Sequence, residues 1–233
     1  MNTSSLSSPI WRRIRSFTRR DSRITKAQFQ AYEQLGPTWQ LQAEAGELDF
    51  YQTFGRLAPC FIEIGFGSGH SLAALAKQQP DRDFIGIEMF KPGIGALLQQ
   101  IEVLALYNIR IYYGDAVEIL EKCIPDHSLQ GIQIFFPDPW PKRRHHKRRL
   151  IQETFVALAA RKLKKAGLLH LTTDWQDYAK EMMKVLSKEK ALHNVAGQGQ
   201  FAERSALRPL ITKFEGRGEK EGRLIWELQF AKE

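Results

Sequence analysis

Cys60-Phe61-Ile62-Glu63-Ile64-Gly65-Phe66-Gly67-Ser68-Gly69 decides the fold. Its first five residues read as a short buried strand. Three glycines at alternate positions then let the backbone turn tightly and approach a ligand closely at the strand's exit. A helical pattern over about 69–79 follows at once, so the unpaired amides of a new helix face whatever binds there. A dinucleotide fingerprint, GxGxxG, would need glycine where His70 stands, and no Tyr-Lys or His-Asp pair suggests hydride chemistry. Glu63, a carboxylate inside the strand's end, turns the expectation away from phosphate and toward a cationic ligand.

The pattern repeats outward from this turn. Apolar runs at 84–87 (FIGI), 109–113 (IRIYY), 131–136 (GIQIFF) and 168–172 (LLHLT) alternate with helical-period segments at about 92–106, 115–123, 147–164 and 175–189. Alternation of this kind predicts an α/β fold, a mostly parallel twisted sheet with helices on both faces. Gly167 is expected to cap the fourth helix, and RLIWELQF at 223–230 to add a C-terminal antiparallel strand. Residues 1–55 show weak periodicity and read as a basic N-terminal extension with a short helix near 25–35, ahead of one domain over 56–233.

Composition narrows the partners. The net charge is +8, and residues 1–30 hold seven Lys or Arg against Asp21 alone. The Ser- and Arg-rich start suits an arm lying on a nucleic-acid backbone better than a transit peptide, because its basic character continues through Lys26. Cys60 and Cys123 have no CxxC spacing, and His145 and His146 lack ligands at zinc spacing, so no metal and a reducing compartment are expected. No apolar stretch approaches the roughly 18 residues of a membrane span. A cytoplasmic protein, monomeric or weakly dimeric, is the expectation.

Three further carboxylates sit where strands end. Glu88 suits an acceptor for two ribose hydroxyls, about 20 residues beyond the glycine turn. Asp115 suits a helix cap, an acceptor from an adenine amino group, or both at once. Asp138, between Pro137 and Pro139, lies on a stiff loop, and KRRHHKRR at 142–149 follows it directly. Six cations in eight residues repel one another unless phosphates or carboxylates neutralise them, so a nucleic acid is the leading partner. Trp140, Trp175 and Phe214 are candidates for the wall of a base pocket or for plain core. Asp174 can cap a helix, face the crevice, or do both, and TKFE at 212–215 with Gly216-Arg217-Gly218 reads as a lid or an ordinary turn.

The set EIGFGSG, Glu88 and Asp115 resembles class I S-adenosylmethionine-dependent methyltransferases, which implies a Rossmann-like fold. With IGIEMFKPGIG at 85–95, FFPDPWPKRRHHKRR, TTDW at 172–175 and TKFEGRG at 212–218, the chain is similar to the bacterial tRNA (guanine-N7)-methyltransferase family from about Arg19 onward. That resemblance implies S-adenosylmethionine as cofactor, held at Glu63, Gly65, Gly67, Gly69, Glu88, Asp115 and Asp138, with Asp138 also the catalytic residue. It implies target-nucleotide contacts from Lys142, Asp174, Thr212, Lys213, Phe214 and Glu215. It assigns RNA contact to Arg143, Arg144, His145, His146, Lys147, Arg148 and Arg149, and the substrate to a guanine in the tRNA variable loop. The readings that compete with it are a methyltransferase for a small molecule or protein and a non-catalytic RNA-binding module.

Overall fold

The computed structural model describes residue 16 and residues 24–206, 208–211 and 213–233. Thr212 and most of residues 1–23 therefore lie outside the described residues, as do the side chains of Lys213 and Phe214. The described strands are β1 (Gln40–Leu41), β2 (Cys60–Ile64), β3 (Asp83–Glu88), β4 (Ile109–Tyr113), β5 (Leu129–Phe135), β6 (Leu163–Thr173), β7 (Leu192–Asn194) and β8 (Trp226–Lys232). They form one sheet in the order β1-β4-β3-β2-β5-β6-β8-β7, parallel except where β8 pairs with β6 and β7.

The order in which strands are added reverses about β2. From β2 the path steps through β3 to β4 on one side, then returns to lay β5 and β6 on the other. The carboxyl ends of β2 and β5 thus border the crevice where open α/β sheets bind ligands. Apolar residues of β2 alternate between two cores. Cys60, Ile62 and Ile64 pack with the helices α5 (Ala116–Cys123), α6 (Glu153–Lys162) and α7 (Gln176–Leu186). Phe61 packs with α3 (His70–Gln78), α4 (Lys91–Val103) and part of α1 (Lys26–Trp39). Full burial of both faces explains why these strands read as continuous apolar runs.

Several elements differ from the sequence reading. Residues 26–54 are built into the same layers, not set apart as an extension. α1 starts at a Thr25–Gln28 capping box and packs on α4, where a Cβ at Gly95 would lie 2.4 Å from the Gln28 carbonyl oxygen. β1 adds an edge strand to β4, and the short α2 (Phe50–Phe54) follows it. The expected helix 147–164 is instead a 3-10 turn, Arg143–Arg148, followed by α6. Gly167 does not cap α6: β6 begins at Leu163, and the left-handed position is Ala166 at φ 59°. Gly167 is tight because Leu129 and Lys164 carbonyl oxygens would lie 3.0 and 2.8 Å from a Cβ there. TKFEGRG is not an open loop, since α8 spans Lys213–Lys220.

Candidate active site

The parallel strands β2 to β6 deliver their carboxyl ends to one edge of the sheet, and the chemistry collects there. Gly65, Gly67 and Gly69 all take positive φ, between 59° and 75°, a region that side chains avoid. A Cβ at Gly65 or Gly67 would meet nothing within 4 Å, so the loop opens onto space a ligand can enter. Its back is closed by α4, whose Gly93 approaches so tightly that a Cβ there would lie 2.0 Å from the Gly67 carbonyl oxygen.

Carboxylates line this loop. Glu88 at the end of β3 braces it, accepting from Gly67 N–H at 2.8 Å and from the amides of Met89 and Phe90 at 2.7 and 3.1 Å. Glu63 is only 5% exposed, and burial first, then the neighbouring Glu88, push its carboxyl up to about 8. An arriving cation would favour the ionised form and so oppose both causes. Asp115 caps α5, its Oδ1 accepting from Val117 N–H at 2.9 Å, so the cap reading holds for that side chain. The loop's open face, its glycines and its acidic lining fit the amino and sulfonium charges and the ribose of S-adenosylmethionine.

Asp138 sits across the crevice at the end of β5, half-buried. Its loop is held between two residues in left-handed backbone, Phe136 at φ 51° and Trp140 at φ 45°. Such positions in aromatic residues cost on the order of 1–3 kcal/mol each and persist only where surroundings impose them. Phe136 N–H donates to the Thr172 carbonyl at 3.0 Å, tying the loop to β6. Arg149 ties it from the other side, its Nε donating to the Pro139 carbonyl at 2.9 Å.

Residues 57–228 match a family model described as "Putative methyltransferase". A tRNA (guanine-N(7)-)-methyltransferase of Idiomarina loihiensis is 51% identical to this chain, over 94% of the chain and 89% of that relative. One of Alcanivorax borkumensis is 50% identical, over 96% and 93%. The chain belongs to the tRNA (guanine-N(7)-)-methyltransferase family. Among solved structures, the 16S rRNA methyltransferase KamB superposes with a TM-score of 0.55 at 13% identity, over 78% of this chain and 92% of that one, a likeness of fold alone.

In this tRNA (guanine-N(7)-)-methyltransferase family member the basic run divides. Lys142, Arg143, Arg144 and Lys147 are exposed. Arg148 is half-buried with its guanidinium carbon 4.8 Å from the Trp140 ring centroid, and His145 meets the same ring edge-on at 6.0 Å. Partial desolvation and the cations Arg144, Arg148, Lys142 and Lys147 hold the His145 imidazole below its usual range, the signature of a positive local field. Arg149 is a correction to the sequence reading: it is 1% exposed and does not join the exposed track. Its guanidinium lies 4.7 Å from the Tyr178 ring centroid, contacts Glu181 and sits 2.7 Å from Asp177, so α7 consumes its charge. His146 likewise faces α7, 3.9 Å from Asp177 and 4.0 Å from Glu181.

The nucleotide side also differs from expectation. Asp174 is half-buried under α8, 3.1 Å from Arg223 Nε and 3.2 Å, measured at its Cβ, from where a Gly218 Cβ would stand. It does not cap α7, where Trp175 holds the N-cap position without a side-chain bond. Trp175 itself packs against the large core, which leaves Trp140, of the two tryptophans, at the Asp138 loop. Glu215 does not open onto the crevice: it is 2% exposed and pairs with Arg208 at 2.5 Å and Arg204 at 3.2 Å. Sequence reading missed Arg208 altogether. Nothing local marks an arginine in an irregular segment as a buried one.

Proposed function

We propose that this protein transfers the methyl group of S-adenosylmethionine to N7 of a guanine in the variable loop of tRNA. The observation that carries the reading is the pairing of an acid-lined glycine crevice with a carboxylate, Asp138, whose loop runs directly into an exposed basic track. S-adenosylmethionine supplies an electrophilic methyl group on a sulfonium. Glu63 would balance its cationic end, Glu88 its ribose, Asp115 its adenine amino group, with Gly65, Gly67 and Gly69 allowing close approach.

Guanine N7 has a lone pair and no proton, so no strong base is needed to make the nucleophile. Alignment does most of the work, and in favourable cases contributes on the order of 7–11 kcal/mol. Asp138 orients the base by accepting from its N1–H and amino edge, and it offsets the positive charge that grows on the ring. A rigid loop suits this role, because a carboxylate already in place pays no reorganisation as charge develops. Trp140 gives the extruded base an aromatic wall. Lys142, Arg143, Arg144 and Lys147 run along the tRNA backbone, with Arg148 and His145 at the junction with Trp140. Lys213 and Phe214, and Thr212, belong to the nucleotide side on family pattern. We place the protein in the cytoplasm with its RNA substrate; no described helix is long and apolar enough to cross a membrane.

Labelled methyl transfer to unmodified bulk tRNA, followed by borohydride and aniline cleavage, tests the reading. A single cut in the variable loop is the expected outcome. Incorporation without a cut would move the methyl to another atom, and no incorporation would overturn the function.

A further inference from the structure

Arg208 is 1% exposed, yet it lies in a segment with no helix and no named strand. Four groups from three elements surround its guanidinium. Nη1 meets Glu227 Oε2 on β8 at 2.6 Å, and Nη2 meets Glu215 Oε2 on α8 at 2.5 Å. The guanidinium carbon is 5.7 Å from the Phe135 ring centroid and 5.8 Å from that of Phe136. Glu227 is anchored in turn, accepting from Ser205 N–H at 2.8 Å and lying 2.7 Å from His170 Nε2 on β6. Arg204 completes the cluster at 3.2 Å from Glu215. Two arginines thus face two buried carboxylates, with the His170 ring beside Glu227.

Each of these contacts touches something that shapes the substrate side. Phe135 ends β5, and Phe136 is the left-handed residue that launches Pro137-Asp138-Pro139. Glu215 belongs to α8, which closes over Asp174 through Gly218. Glu227 belongs to the sheet floor between them. Only a planar fork can address two carboxylates while laying its face near two rings; an ammonium is a point charge and cannot. Buried ion clusters are commonly replaceable by apolar residues at no loss of stability, so stability alone gives this one no reason to exist.

We propose that Arg208 is a positioning residue for methyl transfer, setting the Asp138 loop and α8 at a fixed separation so that Asp138 and Asp174 flank one guanine. The proposal rests on the guanine reading above. Arg208→Lys keeps the charge and removes the fork, and Glu227→Gln keeps the shape and weakens the anchor. For Arg208→Lys the expected result is a parental melting curve and kcat lower on the order of 10²-fold, the penalty for misplaced reacting groups. Both KM for tRNA and S-adenosylmethionine affinity should stay within about threefold, and the loss of kcat should remain when activity is expressed per folded molecule, which a folding defect does not produce. Glu227→Gln should show the same split in weaker form, and it carries the test if the lysine variant does not fold. Parental kcat in either folded variant overturns the proposal. So does activity falling only in step with the folded fraction, or unfolding of both variants, since each makes the cluster merely structural. Absence of methyl transfer to tRNA by the unaltered protein would instead count against the guanine reading.

Discussion

Glu63→Gln should make the ligand-free protein more stable, increasingly so as pH rises. The carboxyl titrates near 4.5 in an unfolded chain and is pushed up to about 8 in the fold, by burial and then by Glu88. Below the lower value it is protonated in both states and adds no pH dependence. Between the two, the unfolded chain releases the proton and the folded one keeps it. Each pH unit in that window therefore costs stability about 1.4 kcal/mol, and the loss is complete above the folded value. At neutral pH the penalty is about 3 kcal/mol, an order-of-magnitude figure. Glutamine is neutral throughout and nearly the same shape. Unfolding free energies of parent and variant from urea titrations should diverge by about 3 kcal/mol between roughly pH 5.5 and 8. Parallel curves would refute the reasoning, because they would mean the carboxyl does not titrate in that window. The same logic predicts that parental affinity for S-adenosylmethionine rises with pH toward 8, since a bound cation takes over from the proton, and that the variant loses this dependence.

Replacing Asp138 by Ala should lower kcat on the order of 10²–10³-fold with tRNA affinity nearly intact, read by single-turnover transfer and filter binding; undiminished turnover would remove it from the mechanism. Gly93→Ala puts a Cβ against the Gly67 carbonyl and should weaken S-adenosylmethionine binding about tenfold by calorimetry through displacement of the glycine loop, so parental affinity would mean the loop does not form the pocket. Arg149→Met removes a buried guanidinium whose partners Asp177 and Glu181 stay within reach of solvent, and should cost about 1–3 kcal/mol in urea unfolding while the salt dependence of tRNA binding holds. Neutralising exposed Arg144 and Lys147 should do the reverse, lowering the log–log salt slope by about 1 for each cation; equal slopes for all variants would sink the track.

Much of the donor side was legible because its signals are local. A strand that is buried on both faces must be apolar along its length, so β2 to β6 stand out as runs. Successive left-handed φ positions favour glycine, so the Gly65-Gly67-Gly69 loop announces itself. Asp115 caps the helix that follows it within three residues, and the two prolines stiffen Asp138 whatever surrounds them. Parallel pairing then puts every one of those carboxylates at the same edge. The order of strands about β2 follows from connection rules more than from any one residue.

Long-range pairing decided the rest. Arg148 and Arg149 are adjacent and chemically identical, yet one stacks on Trp140 near the surface while the other is consumed by Asp177 and Glu181, residues that only folding brings within reach. Gly216 and Gly218 weaken any local case for α8, but a glycine at 218 lets that helix sit against Asp174. The chain alone determined which residues end the strands and what chemistry they carry, because backbone conformation and burial leave periodic marks. Whether a given charge meets solvent or a buried partner was decided only in three dimensions, because that depends on residues tens of positions away.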